Sequence, residues 1–264
     1  MLIKVLSVNH GTTAYADLML RSLVARHPDR AGIEVLLLDS GGCELDRLAW
    51  AERHGIRIRP SGYPLDVAVT SHGEILRAAV LAEPDCDAYL FVDADVCFVA
   101  DDTIGALARE LAADPDLFAV QATWLLPDGS VFAEGGPDDR VAWIREAVRP
   151  DGVGEWSEPY EYRIGYGDRV HPFCVLVRND APFRTAVEVI GLSPGGTQCV
   201  RGALWWDTLG LLTQVMKTHD RSWRRSDAGV IHFGNVSWTA DWAAEKAGQR
   251  DVLLARHPLP DPAP

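Results

Sequence analysis

Residues 89–99 read YLFVDADVCFV, and this stretch carries most of the information about the fold. Its apolar residues predict a buried β-strand, but Asp93 and Asp95 stand two positions apart near its end. Residues i and i+2 of a strand point to the same face, so each carboxylate would raise the cost of ionising the other. A cation would relieve that repulsion. The alternative is that the strand ends at Val92 and that both aspartates are solvated turn or cap residues.

Strand-like and helix-like patterns alternate on the N-terminal side of this stretch. The apolar runs at residues 2–8, 33–39, 56–60 and 88–96 predict strands, and the segments 14–24, 43–55 and 71–83 predict helices. This alternation predicts an α/β fold with a Rossmann-like, mostly parallel central sheet flanked by helices.

Polar residues follow three of the predicted strands. They are Asn9 to Gly11, Asp39 to Gly42, and Asp93 to Asp95. Ligands of doubly wound sheets bind beyond the carboxyl ends of the strands, so these groups predict one shared ligand site. Three unrelated solvated turns are the alternative.

The pattern changes beyond Asp101. A helix at 103–113 and a strand at 117–123 are followed by residues 127–169, which are rich in Gly, Pro, acids and aromatics and show no period. An irregular segment of that length is typically a functional loop, so we expect an acceptor-side region there. A further strand is predicted within residues 170–180.

The composition is that of a globular enzyme, with 264 residues, 47% apolar and 24% charged. A net charge of −13 argues against nucleic acid or an anionic membrane as the partner and suits a divalent cation. No apolar run approaches the roughly 20 residues of a membrane span, and the N-terminus predicts a strand rather than a signal peptide. The five cysteines form no CxxC pair, so we expect reduced thiols in a cytoplasmic protein.

Seven segments across residues 2–238 resemble, in order and approximate spacing, a glycosyltransferase of the GT-A fold, close to family 2. They are LSVNHG, EVLLLDSGG, SHGEILRAA, YLFVDADV, FCVLVRND, LWWDTLGLL and VIHFGNVSW. The resemblance implies a single domain over residues 1–264. Within it we expect a nucleotide-sugar-binding half at 1–100, an acceptor and catalytic half at 101–240, and a C-terminal helix and tail at 241–264.

The resemblance also implies which residues hold the donor. Asn9 and Asp39 would hold the nucleotide base and ribose, and His72 would mark an altered donor contact, because that family usually has Asn there. Asp93 and Asp95 match the DxD motif, which binds a divalent metal that bridges the donor diphosphate. Carboxylate oxygens suit Mg²⁺ or Mn²⁺.

Further positions follow from the same resemblance. His232 would complete the metal shell, with a buried structural histidine as the alternative. Asp207 would be the general base of an inverting enzyme, with a helix N-cap before residues 208–216 as the alternative. Trp205 and Trp206 would offer apolar faces to the acceptor. If Asp207 is only a cap, the base would be sought among the loop acids Glu155, Glu158 and Glu161.

The predicted function is therefore an inverting, metal-dependent transfer of a sugar from a nucleotide-sugar, with UDP as the expected nucleotide. A hexosyl- or N-acetylhexosaminyl-transferase is expected, with a small-molecule or carrier-bound acceptor in secondary-metabolite, for instance antibiotic, biosynthesis. One alternative is a haloacid-dehalogenase-like phosphatase, although that family's motif normally opens the chain and has Thr or Val where Cys97 stands. A non-catalytic nucleotide-sugar-binding protein is the other.

Overall fold

A computed structural model describes most of the chain. The described residues are 1–40, 44–63, 71–132, 141–143, 146–149, 152–155, 169–192, 196–200, 203–206, 208–210, 212–234, 236 and 240–261. None of the helices in these ranges is long and apolar enough to cross a membrane.

Helices and strands alternate through the first half of the chain. In the described residues the α-helices are α1 (Thr13–Arg26), α2 (Ala49–Glu52), α3 (Ser71–Ala82), α4 (Thr103–Ala113), α5 (Ala181–Thr185), α6 (Leu212–Lys217) and α7 (Ala240–Arg256). The strands there are β1 (Ile3–Asn9), β2 (Ile33–Asp39), β3 (Ile56–Pro60), β4 (Ala88–Val92), β5 (Val96–Phe98), β6 (Leu117–Leu125), β7 (Val141–Trp143), β8 (Glu146–Arg149), β9 (Gly152–Glu155), β10 (Cys174–Arg178), β11 (Gly196–Val200), β12 (Ala203–Trp206) and β13 (Ser222–His232).

Eight of the described strands form one sheet, in the order β3-β2-β1-β4-β10-β6-β13-β5. Strand β10 is antiparallel to both of its neighbours and β5 is antiparallel to β13, whereas the other pairs are parallel. The predicted α/β architecture with a mostly parallel sheet is confirmed.

Alternate residues of the central strands face two separate cores. Val5 and Leu90 pack on one face with helices α1 and α4, while Leu6 and Phe91 pack on the other face with α3 and α5. This alternation follows from the two-residue period of a strand. Helices therefore cover both faces of the sheet, so a ligand can reach the sheet only at the ends of its strands.

Three local predictions need correction. The helix expected at 43–55 is a 3₁₀ turn at Leu45–Leu48 followed by the short α2, and Gly55, with φ of +74°, ends that region. The strand expected at 88–96 is broken at residues 93–95. The segment 127–169, expected to be irregular, contains β7 in a small sheet with β11 and β12, and a β8–β9 hairpin. These strands are too short for their period to be read from sequence.

Candidate metal and donor site

Two strand ends place the acidic pair beside a histidine. Strand β4 ends at Val92, so Asp93 and Asp95 occupy a turn, as the alternative to a continuous strand predicted. The chain then returns as β5, which pairs with β13 so that Val96 lies opposite His232. The backbone N–H of Phe233 donates to the carbonyl of Asp95 at 3.1 Å. Main-chain pairing therefore brings His232 to the acidic turn.

The three side chains converge on one small volume. The Nε2 atom of His232 lies 3.2 Å from Oδ1 of Asp95 and 3.4 Å from Oδ2 of Asp93. One ligand atom from each residue lies within 4.8 Å of the other two. His232 and Asp95 are buried and Asp93 is partly exposed, so a small ion or ligand group can approach from the side of Asp93.

The electrostatics of this cluster favour added positive charge. Burial opposes the charge on His232, but Asp95 and then Asp93 outweigh it and raise its pKa to about 9. Burial likewise opposes the charge on Asp93, but hydrogen bonding to His232 and the field of His72 keep its pKa below the ordinary value. The imidazolium thus supplies the cation that two neighbouring carboxylates require.

Aromatic side chains fix the orientation of the His232 ring. The ring stacks on Phe173 with centroids 5.1 Å apart and an interplanar angle of 11°, and it also contacts Trp124. The indole N–H of Trp124 donates to the carbonyl of His232 at 2.8 Å. The sequence analysis missed both aromatic residues, because Phe173 lies in a predicted strand region, Trp124 directly follows a predicted strand, and nothing local marks either of them.

The residues present fit a divalent metal. Two carboxylates and an imidazole form an oxygen-rich donor set, and Mg²⁺ and Mn²⁺ favour carboxylate oxygens. The Nδ1 atom of His232 is buried and has no hydrogen-bond partner among the described residues, whereas a structural core histidine normally has its polar atoms satisfied. Ligation of a metal by His232 stays a prediction, with a buried structural histidine as the alternative.

Asn9 and Asp39 end neighbouring strands in register. The amide of Asn9 donates to Oδ1 of Asp39 at 2.7 Å and to the hydroxyl of Thr13 at 2.9 Å, and its oxygen accepts from Thr12. Asn9 is fully buried, so its amide orients the Asp39 carboxylate. Contact between Asp39 and a nucleotide stays a prediction.

His72 links two parts of the site. Its Nδ1 atom lies 2.9 Å from the hydroxyl of Thr208, and its Nε2 atom lies 3.8 Å from Oδ1 of Asp93. Burial lowers the pKa of His72, and the charge of Asp93 works against that shift. His72 on helix α3 thus connects the acidic turn to Thr208, the residue that follows Asp207. The spacing of these residues in the sequence did not indicate this link.

The predicted acceptor and base positions fall outside what the structure describes. Asp207 is not among the described residues, and Trp205 and Trp206 end β12 with side chains that are not described. Helix α6 begins at Leu212, and residues 208–210 form a turn. The capping alternative required a helix that starts immediately after Asp207. The described residues 208–210 form a turn instead of the first residues of such a helix.

Two arginines of residues 221–225, whose sequence is RSWRR, have acidic partners in the protein. Arg221 lies 3.4 Å from Asp180, and Arg224 lies 3.0 Å from Glu110. Neither acid belongs to the Asp93–Asp95–His232 cluster. Arg221 and Arg224 are thus accounted for by local ion pairs.

The sheet order and the acidic turn after β4 fit the GT-A fold that the sequence resembles. No protein-family model matches the sequence, and no curated protein matches it. Solved structures do match. A mannosyltransferase from Pyrobaculum calidifontis, solved in complex with GDP-Man and Mn²⁺, has a TM-score of 0.54 at 15% identity, and the match covers all of this chain. The chain spans 66% of the length of that enzyme.

A second similar structure is glucosyl-3-phosphoglycerate synthase from Mycobacterium tuberculosis, in complex with phosphoglyceric acid. It has a TM-score of 0.54 at 18% identity, with 98% of this chain and 81% of that chain covered. The same synthase has also been solved with Mn²⁺, UDP and phosphoglyceric acid. The predicted GT-A fold is confirmed. In the structure the DxD motif follows the fourth strand. In the phosphatase alternative this motif would follow the first strand of the chain.

Proposed function

We propose that this protein is a divalent-metal-dependent glycosyltransferase that takes its sugar from a nucleotide-sugar donor. The observation that carries this proposal is the convergence of Asp93, Asp95 and His232 at the edge of a GT-A sheet. The Mn²⁺ in two similar solved structures supports it, since each was solved with a nucleotide or a nucleotide-sugar.

Asp93, Asp95 and His232 would hold the metal, and Asp39 would bind the ribose or base. When bound, the metal supplies Lewis-acid stabilisation of the charge on the departing nucleoside diphosphate. Metal ligation at Nε2 of His232 requires the neutral imidazole, so the proton that this ring carries next to two carboxylates must leave. The charge of the metal would then replace that of the imidazolium, so both carboxylates would stay ionised.

In more detail, we propose an inverting transfer in which the donor nucleotide is UDP and the transferred group is a hexosyl or N-acetylhexosaminyl group. Asp207 takes the proton from the acceptor nucleophile, and Trp205 and Trp206 shield the reacting groups from water. The acceptor is a small molecule or a carrier-bound group in a biosynthetic pathway of secondary metabolism, and the protein acts in the cytoplasm as one GT-A domain with the halves predicted above.

Calorimetric titration tests the core of this proposal. UDP and GDP are titrated into the protein with Mn²⁺ and again with EDTA, and we expect at least one nucleotide to bind about 10-fold or more tightly with Mn²⁺. The variant Asp95→Ala should lose that difference in affinity, because it removes one proposed metal ligand. The fold should stay intact, because the acidic turn lies at the end of strand β4.

Asp116→Ala is the matched control, since Asp116 is exposed and lies outside the cluster. It removes the same charge from the protein and should bind nucleotide as the wild type does. Equal nucleotide affinity with EDTA and with Mn²⁺ would sink the metal assignment. Mn²⁺-dependent binding with no transfer of a sugar from any donor would favour the non-catalytic binding protein.

A further inference from the structure

The two oxygens of the Asp93 carboxylate face two different histidines. Oδ2 lies 3.4 Å from Nε2 of His232, which belongs to the proposed metal cluster. Oδ1 lies 3.8 Å from Nε2 of His72, which lies outside that cluster. The other ring nitrogen of His72, Nδ1, lies 2.9 Å from the hydroxyl oxygen of Thr208. Thr208, His72 and Asp93 thus form a row that leads to the metal cluster.

The turn that carries Thr208 is held in an unfavourable backbone conformation. Thr208 is buried, and the next residue, Leu209, adopts φ of +64°. This left-handed conformation costs a non-glycine residue about 1 to 3 kcal/mol, and it persists only where the surrounding structure enforces it. The backbone N–H of Leu209 donates to the carbonyl of Leu192 at 3.0 Å, and its carbonyl accepts the N–H of Leu212 at 3.0 Å. The fold therefore fixes the place of the hydroxyl that meets His72.

This hydroxyl selects one tautomer of the neutral His72 ring. In the part of the chain that the structure describes, the hydroxyl of Thr208 has no partner other than His72, so it donates its proton to Nδ1. A neutral imidazole that accepts at Nδ1 carries its proton on Nε2. Burial lowers the pKa of His72, which favours the neutral ring. The N–H at Nε2 therefore faces Oδ1 of Asp93.

Metal binding changes the hydrogen bonds that Asp93 requires. Nε2 of His232 loses its proton when it ligates a metal, so Asp93 then loses the hydrogen bond from that ring. A carboxylate that ligates a metal normally accepts a hydrogen bond from a second group, which fixes the oxygen that faces the metal. A shift of less than about 1 Å would bring the N–H of His72 within hydrogen-bond distance of Oδ1.

We propose that His72 is a positioning residue for the metal ligand Asp93, and that Thr208 sets the tautomer of His72 for this role. The N–H at Nε2 donates to Oδ1 of Asp93, which leaves Oδ2 to the metal. This inference rests on the proposed function, and it differs from the direct donor contact that the family resemblance implies for His72. The same row of contacts ties the metal site to Thr208, the residue next to the candidate base Asp207.

Calorimetric titration of the purified full chain with UDP and with GDP, each in Mn²⁺ and in EDTA, tests this assignment. The variants are His72→Ala, His72→Gln, Thr208→Val, Thr208→Ser and the double variant that combines His72→Ala with Thr208→Val. The controls are His219→Ala and Thr218→Val, which make the same substitutions at exposed positions. Thermal denaturation verifies that each variant is folded.

We expect His72→Ala and Thr208→Val to reduce the gain in nucleotide affinity from Mn²⁺ by about 10-fold, with the affinity in EDTA unchanged. His72→Gln places an amide N–H near the position of Nε2 and should keep most of the gain. Thr208→Ser keeps the hydroxyl and should do the same. The double variant should lose no more than His72→Ala does, because Thr208 acts through the ring. Both controls should bind as the wild type does.

NMR spectroscopy tests the tautomer directly. Long-range ¹H–¹⁵N spectra at about pH 8 distinguish the two tautomers of a neutral imidazole, and His72→Ala identifies the signal of His72 by its absence. We expect the proton on Nε2 in the wild type and a mixture of tautomers in Thr208→Val. A proton on Nδ1 in the wild type would overturn the inference.

An equal loss of nucleotide affinity in Mn²⁺ and in EDTA would also overturn the inference, because His72 would then contact the donor directly. So would a gain from Mn²⁺ that His72→Ala leaves unchanged, or losses that add in the double variant. Each of these results leaves the proposed function standing. A wild-type protein that gains no nucleotide affinity from Mn²⁺ would instead overturn the proposed metal dependence, and this inference with it.

Discussion

The imidazole of His232 allows Asp93 and Asp95 to be ionised side by side. Two carboxylates this close, one of them buried, would not both ionise at little cost without a cation within reach. His232 is that cation in the structure, with Nε2 within 3.4 Å of an oxygen of each acid. The ring is fixed by Phe173 and Trp124, so the donor atoms are positioned before any ligand arrives. Such preorganisation lowers the cost of binding.

Replacing Asp39 should affect donor binding more than turnover. The variant Asp39→Ala should raise KM for the donor with little change in kcat, because a ribose or base contact is present in both the ground state and the transition state. Steady-state kinetics over a range of donor concentrations measures this. A collapse of kcat with unchanged KM would assign Asp39 a different role.

The candidate base is tested by Asp207→Asn, which keeps the size of the side chain but removes its ability to take a proton. Sugar transfer should fall by about 10² to 10⁴ if Asp207 is a general base. Donor affinity, measured by titration, should stay within about two-fold, because the metal and nucleotide contacts are expected on other strands. Full transfer by this variant, or donor affinity lost in proportion to rate, would redirect the search to Glu155, Glu158 and Glu161.

At the scale of elements, helices α1 and α4 are joined by one buried histidine. Nε2 of His27 accepts the backbone N–H of Ile104 at 3.1 Å, which satisfies one of the unpaired N–H groups at the start of α4. Since Nε2 accepts, the proton is on Nδ1, which lies 2.8 Å from the carbonyl of Leu23. The neutral ring thus ties the end of α1 to the start of α4.

This tie should make stability depend on pH. Burial lowers the pKa of His27, so below about pH 6.5 the unfolded chain binds a proton that the folded chain does not. The contribution of His27 to the free energy of unfolding should therefore fall as the pH drops from 7.5 to 5.5. Denaturant titration should show that His27→Ala loses about 1 to 3 kcal/mol at pH 7.5 and that this loss becomes smaller towards pH 5.5.

The exposed His219 provides the control for His27, and His219→Ala should keep both the stability and the pH dependence of the wild type. The structural assignment would be contradicted if the stability of His27→Ala and that of the wild type varied in parallel with pH.

At the scale of the whole molecule, the proposed site draws on segments far apart in sequence. Asp39 ends β2, the acidic turn follows β4, and His232 ends β13. A ligand that bridges these segments stabilises the folded chain as a whole, by about 2.7 kcal/mol at 100 times its Kd. Mn²⁺ together with UDP or GDP should therefore raise the melting temperature by roughly 5 to 10 °C.

Thermal denaturation with Mn²⁺ alone, nucleotide alone and both together measures this cooperation. We expect the combined shift to exceed the sum of the separate shifts, and Asp95→Ala to lose the excess. If nucleotide with EDTA gave the same shift as nucleotide with Mn²⁺, the two ligands would not share one site.

Sequence reasoning was most successful where short-range periodicity decides structure. The predicted helix at 103–113 and the strands at 33–39 and 56–60 have the boundaries that the structure shows. Their apolar residues recur with the period of the element, and their ends coincide with turn residues. It was least successful at 93–95 and at 127–169, where the strands are short and pairing between distant segments decides the backbone.

By itself, the sequence determined the α/β class, the order of the first strands and helices, and the acidic pair as a candidate cation site. These properties follow from local periodicity and from the chemistry of two neighbouring carboxylates. Only the tertiary structure decided that Val96 lies opposite His232, that Thr208 bonds to His72, and that Lys246 of α7 reaches the turn after His232. The physical reason is that these contacts join residues distant in sequence, and their positions are set by strand order and core packing, which no local pattern specifies.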